Sequence, residues 1–204
     1  MKLIVKDTFI KDNFDKTMKL IDKLITSNRN SSVKKFFDTI GERYAIAPAS
    51  AKTEYHLAFP GGLCFHNLHV YSWINKFAST MANGEFSDET LFLVSLFHDI
   101  GKLGDVNDDY YVQTDKRWMI EKGIPYEINS KISFMTVSSR GLFMLQHFGI
   151  TLTQDEYLSI LLHDGQYDES NGRYAMREPK LAYIIHWADL WATRLEKSFE
   201  ITYE

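Results

Sequence analysis

The sequence predicts an all-α fold on three observations. Apolar side chains recur every three to four residues through most of the 204-residue chain. Helix-starting signals precede several of those runs: Ser87 stands before Asp88 and Glu89, Thr153 lies three residues before Glu156, and Pro179 opens a long apolar segment. Breakers are scarce, with four prolines and eleven glycines in a chain that is 45% hydrophobic and 14% aromatic, so a sizeable core is available.

Met1 to Phe9 alternates apolar and charged residues and reads as a short N-terminal strand or arm with no obvious partner. From Asn13, the spacing of Phe14, Met18, Ile21 and Ile25 predicts a first helix, and Val33, Phe36, Phe37 and Ile40 predict a second over 32–40. Residues 41–62 carry Pro48, Pro60 and Gly61-Gly62 and read as a loop. A third helix over 63–81 holds His66 in its first turns. The next runs from the Ser87 cap through Leu91 and Phe97 to His98-Asp99, with Gly101 as its stop. Residues 105–123 form a polar and aromatic loop with a short helix over 116–121. Helices follow over 138–147 and from Thr153 to His163-Asp164-Gly165, and a last one from Pro179 to about Phe199 contains His186 and Asp189. The chain reads as a single domain, 1–204, with its core at about 51–197 and an N-terminal helical extension over 1–50.

Twenty-three Lys and Arg against 27 Asp and Glu leave a net charge of −4, which offers no global field for an extended nucleic-acid duplex or an acidic membrane. Cys64 is the only cysteine, which excludes an intramolecular disulfide or a cysteine zinc cluster and reads as a small buried apolar residue. The first ten residues hold no signal-like apolar stretch, and no run approaches the roughly 18 apolar residues of a membrane span; the expected location is the cytoplasm.

The chemistry resides in a dispersed set: His66, then His98-Asp99, then Asp189. Neighbours on a straight helix point about 100° apart, so His98 and Asp99 can address one ion only where the helix ends. Each member is embedded in strongly apolar sequence, where an ionisable group needs a partner and a divalent cation is an economical one. Two imidazoles and two carboxylates suit one divalent ion such as Mn, Fe, Zn, Co, Ni or Mg, leaving positions for water and a phosphate oxygen.

The segments AKTEYHLAFPGGLCFH, LFHDIGK and HWADLWATRLE resemble the HD superfamily of metal-dependent phosphohydrolases over roughly residues 51–197. The resemblance implies a compact helical bundle of the HD-domain type, with His66, His98, Asp99 and Asp189 as the four defining ligands. It implies hydrolysis of a phosphoester in a nucleoside mono- or triphosphate. Two alternatives stand beside it: a phosphodiesterase or 3′-to-5′ exoribonuclease acting on RNA ends or cyclic nucleotides, and a catalytically silent nucleotide-binding regulator. Exoribonuclease relatives usually carry an added nucleic-acid module, for which this chain has no room. Relatives with two metals usually place another histidine where this chain has Ser138-Ser139-Arg140-Gly141, so one ion is expected rather than two. His163 matches a position where some relatives carry a functional histidine, and Asp99, Lys102 and His163 are the expected catalytic groups. Relatives that cleave nucleoside monophosphates tend to carry a glutamate in place of Lys102, which disfavours a simple 5′-nucleotidase.

Substrate contacts are expected from His56, Lys102 and Arg140, and from Arg177 and Lys180 beside the last helix start, where backbone N–H groups favour anions. Asp164 is an even choice between a substrate contact and a cap. His69 and His147 read as structural, although His69 lies on nearly the same face as His66, and His186 reads as packing. Tyr110, Tyr111 and Trp118 could stack on a base, whereas Trp187 and Trp191, four apart, read as core. The expected partner is a small-molecule nucleotide, without a membrane; homo-oligomerisation is open.

Overall fold

The computed structural model describes residues 2–6 and 8–203. The elements are β1 (Lys2–Val5), α1 (Phe9–Leu24), α2 (Asn30–Ile46), α3 (Gly62–Met81), α4 (Asp88–Phe97), β2 (Tyr111–Gln113), α5 (Arg117–Glu121), β3 (Tyr126–Ile128), α6 (Val137–His147), α7 (Gln154–Leu161), α8 (Lys180–Glu196) and β4 (Glu200–Tyr203). The described chain is mostly helical and forms a compact bundle. Its centre is α3, which packs against α8, α4, α1 and α2, while α7 bridges α4 and α8. The main core runs through Phe36, Leu63, Ile74, Phe97, Ile185 and Ala188, all buried.

The caps form as the sequence predicts. Ser87 accepts from the Thr90 N–H, and Thr153 with Glu156 makes a complete capping box. Two helix boundaries and one pairing differ from the sequence reading. The first helix starts at Phe9 rather than Asn13. Strand β1 does have a partner: it pairs in parallel with β4, from the far end of the chain, in the register Leu3 to Ile201. The second helix runs on to Ile46, because Gly41 is a packing position; a Cβ there would stand 3.1 Å from the Phe14 ring.

Gly101 is likewise not a helix stop. It sits inside a 3-10 turn, Ile100–Leu103, and a Cβ built on it would meet the Val137 carbonyl oxygen at 1.9 Å. The glycine lets α6 lie against the turn that carries Asp99. Gly101→Ala is therefore expected to cost at least ~3 kcal/mol, the upper range for overpacking, and a denaturation midpoint unchanged from the parent would contradict this account.

The N-terminal helices are tied to the rest by two arginines. Arg43 donates to the carbonyls of Leu103, Asp105 and Val106 and pairs with Asp109 at 2.6 Å, pinning the loop after the His98-Asp99 segment. Arg29 pairs with Glu89 at 2.6 Å and with the fully buried Glu156 at 2.7 Å. Removing one member of a buried ion pair leaves an uncompensated charge, so Arg29→Ala is expected to lose about 3–5 kcal/mol. Urea denaturation checks this, and a change under about 1 kcal/mol would show the pair to be water-screened.

No helix of the described residues is long and apolar enough to cross a membrane. Trp187 and Trp191 are not core residues: they are 42% and 46% exposed. The buried stripe of α8 includes Leu181, Ile184, Ile185, Ala188 and Ala192, and both tryptophans lie on its flank, Trp191 edge-on to Trp73 with ring centroids 5.8 Å apart.

Candidate metal centre

Four elements deliver the predicted ligands to one place. α3 is preceded by Gly61, whose φ of +87° admits the turn out of the loop, and His66 lies one turn into the helix. At the end of α4, His98 keeps helical angles, while Asp99 (φ −104°, ψ 9°) leaves them for the 3-10 turn. This change of backbone path aims the two adjacent side chains at a common point. Asp189 comes from the middle of α8.

The donor atoms cluster tightly. His66 Nε2 lies 3.1 Å from Asp189 Oδ1, 3.3 Å from His98 Nε2 and 3.5 Å from Asp99 Oδ2. His98 Nε2 lies 3.6 Å from Asp99 Oδ2 and 3.8 Å from Asp189 Oδ1. Ligands bound at about 2.1 Å stand roughly 3.0 Å apart at right angles and roughly 3.4 Å apart in a tetrahedron. The observed separations, 3.1–3.8 Å, start near those values and run slightly above them, so these groups could hold a divalent ion.

The imidazoles are already set for that role. His98 Nδ1 lies 2.8 Å from the Ser95 carbonyl and His163 Nδ1 lies 2.8 Å from the Ile160 carbonyl. A carbonyl only accepts, so both Nδ1 atoms carry a proton, and in the neutral form of each ring Nε2 is the lone-pair atom. His66 Nδ1 donates to Glu196 Oε2 at 2.9 Å. Glu196 is buried and also accepts from His56 Nδ1 at 2.7 Å and His69 Nδ1 at 2.7 Å, while His69 Nε2 accepts from the Trp73 indole. One carboxylate thus orients three imidazoles. Sequence reasoning missed it, although the seven-residue step from Asp189 is two helical turns and puts both acids on one face of α8.

Charge is concentrated here. Burial pushes the Asp99 carboxyl up, but Lys102, 2.5 Å away, together with His98 and His163 holds it well below the usual carboxylate range. Burial presses His66 down, yet Glu196 and Asp189 outweigh it and raise it to about 10. In His163, Asp164 and Asp99 likewise overcome burial and raise the pKa to about 9. In His98, burial, aided by the His163 and His66 charges, outweighs Asp99 and Asp189 and lowers the pKa to about 4. The pocket therefore attracts positive charge, whether a proton or a cation.

A second group, His163, Asp164 and Asp189, also brings its donor atoms within 4.8 Å of one another, and Asp99 Oδ1 reaches His163 Nε2 at 3.5 Å. The expectation of one ion rested on residues 138–141, whereas these further donors come from beside His163. Compared with family models, curated proteins and solved structures, the chain matches none.

The cluster opens into a cavity of about 730 Å³ lined by His56, Asp99, Lys102, Tyr111, Asp164 and Lys197, among others. His56 and Lys102 thus line the cavity, and His163 meets the site through Asp99, 3.5 Å away. Arg140, expected at a substrate phosphate, is buried elsewhere: its Nη2 donates to the Ser133 carbonyl at 2.6 Å and its guanidinium lies 5.5 Å from the Tyr110 ring centroid. It packs the loop rather than lining the cavity. Arg177 is exposed and Lys180 pairs with Glu85 at 3.0 Å, so neither lines the cavity. His147, read as a core histidine, is exposed, and Trp118 is exposed as well, whereas Tyr111 reaches the cavity wall.

Proposed function

We propose that the chain is a metal-dependent phosphohydrolase of the HD type that cleaves a phosphoester of a nucleotide. One observation carries this reading: the Nδ1 atoms of His66 and His98 are tied to acceptors, so both Nε2 atoms face Asp99 and Asp189 across separations of cation-binding size, each able to offer a lone pair once a cation displaces the proton. The resemblance of the three motifs to the HD superfamily agrees with it, and supplies the substrate class.

A divalent cation, when bound, lowers the pKa of a coordinated water and draws charge from phosphoryl oxygens. His66, His98, Asp99 and Asp189 would hold it. Lys102, kept charged by Asp99, extends into the cavity as a point charge for a phosphate oxygen. His163 faces the Asp99 oxygen that His66 does not, with Asp164 3.6 Å from the same His163 nitrogen, and this pair would serve a leaving oxygen. His56, held by Glu196, lines the wall and supports the pose of the substrate.

The phosphodiesterase reading has one observation in its favour. A neighbouring cleft of about 420 Å³ shares Lys102 and Tyr111 with the metal cavity, so a chain could pass through. The cleft's Arg43, however, is spent on Asp109 and three carbonyls, which takes it out of any basic track there. Mononucleotides, cyclic nucleotides and short oligonucleotides, each assayed with Mn, Fe, Zn, Co, Ni and Mg, separate the readings. Turnover of mononucleotides that vanishes with chelator supports the proposal. Activity on oligonucleotides alone favours the diesterase, and no turnover with any pairing leaves only a nucleotide-binding role.

A further inference from the structure

A second cavity adjoins the metal centre and is of different character. It encloses about 370 Å³ between the end of α7 and the start of α8, lined chiefly by Leu162, Tyr167, Ala182, Tyr183, His186 and Trp187. Tyr167 and His186 also line the metal cavity, so the two spaces share a wall. The aromatic walls have little else to cover them: Tyr167 is 80% exposed and Trp187 is half exposed. An aromatic cleft of this size with a few polar groups at its edge is the usual form of a small-ligand site.

Its geometry is built rather than incidental. The Glu178 carboxylate accepts from the Tyr183 hydroxyl at 2.7 Å, from Gln166 Nε2 at 3.1 Å and from the Arg177 N–H at 2.9 Å, tying the turn Gly165–Tyr167 to the head of α8. His186 donates from Nδ1 to the His163 carbonyl at 2.6 Å, so the ring dividing the two cavities is braced by the metal-centre segment. Gly165, at φ +56°, leaves room for that ring, since a Cβ there would stand 2.7 Å from it.

The geometry points to a nucleobase subsite: the planar base lies among Tyr167, Tyr183 and Trp187 while its phosphate reaches the metal cavity past His186. A ligand with a phosphoryl group at one end and a flat heteroaromatic ring at the other matches both spaces. Every base offers a π-face to such a wall, and its polar edge meets Gln166 and the one remaining lone-pair direction of Glu178. This assignment rests on the phosphohydrolase reading for the phosphate end, but the base end can be tested without it.

The test is calorimetric titration of the four common nucleosides, which carry no phosphate, into the full chain, Trp187→Ala and Trp187→Phe. At least one nucleoside is expected to bind, with affinity reduced about tenfold or more in Trp187→Ala and largely restored in Trp187→Phe. In parallel, metal-dependent cleavage of nucleoside monophosphates is compared with that of ribose 5-phosphate in each protein, and the nucleotide advantage should shrink in Trp187→Ala. Absence of nucleoside binding, or equal binding by parent and Trp187→Ala, overturns the subsite even if phosphoesters are cleaved. Nucleoside binding through Trp187 without hydrolysis of any phosphoester upholds the subsite and overturns the phosphohydrolase reading.

Discussion

Asp189→Asn is expected to lose its cation and, with it, about a thousandfold of metal-dependent phosphoester turnover. The substitution keeps side-chain volume and removes one unit of charge, so the packing of α8 is undisturbed. What changes is the pairing at 3.1 Å with His66 Nε2 and the approach of the same oxygen to His98 Nε2. An amide oxygen is a poorer ligand than a carboxylate, and the cation then faces only one anionic donor in its set. A bound cation supplies several kcal/mol of transition-state stabilisation, and each 1.36 kcal/mol is a factor of ten, which gives the expected loss. Metal content by mass spectrometry, turnover and circular dichroism on the same preparation decide it. A variant with full metal content and parental turnover would remove Asp189 from the site, and with it the convergence of α3, α4 and α8 on one ion. Asp99→Asn should behave alike in metal content, with the added effect that Lys102 loses its counter-charge.

The parts of this site that were legible in the sequence are those written as short motifs. His66, His98, Asp99 and Asp189 are separated by tens of residues, yet each sits beside a signal that fixes its local frame: Gly61-Gly62 before α3, the Ser87 cap before α4, Pro179 before α8. Their meeting then follows from how the apolar faces of these helices pack. Glu196 was not legible in the same way. An acid near a helix end usually faces water, and its burial depends on His56 and His69 arriving from other elements. Trp187 and Trp191 misled for the reverse reason: four-residue aromatic spacing reads as a core stripe, but the small residues Ala188 and Ala192 take the buried side. The β1–β4 pairing joins opposite ends of the chain, and no local pattern encodes such a partner. Arg140 looked like a phosphate ligand because its guanidinium suits bidentate phosphate binding and it stands where two-metal relatives place a histidine, whereas its burial against Tyr110 and Ser133 is a matter of loop packing.

The unforeseen acid also yields the second large effect. Glu196→Gln preserves shape but exchanges one of two acceptor oxygens for an NH2 donor, while His56, His66 and His69 all present Nδ1–H to that group. At least one imidazole must then lose its partner or switch its proton to Nε2, the atom that His66 needs free at the metal. Such a change in the orienting partner of a metal-bound histidine lowers metal affinity by about 10–100-fold. A carboxylate that merely filled space would show no such loss, because Gln fills the same volume. Glu196→Ala goes further: it leaves three buried or half-buried donors unsatisfied, at about 1–3 kcal/mol each, and is expected to lower the melting temperature as well as metal binding. The informative comparison is between the two variants in a titration with Mn or Zn, monitored beside thermal unfolding. If Glu196→Gln binds the cation as tightly as the parent, the carboxylate is a folding device alone, and the tautomer of His66 is set by Asp99 and Asp189 rather than from behind.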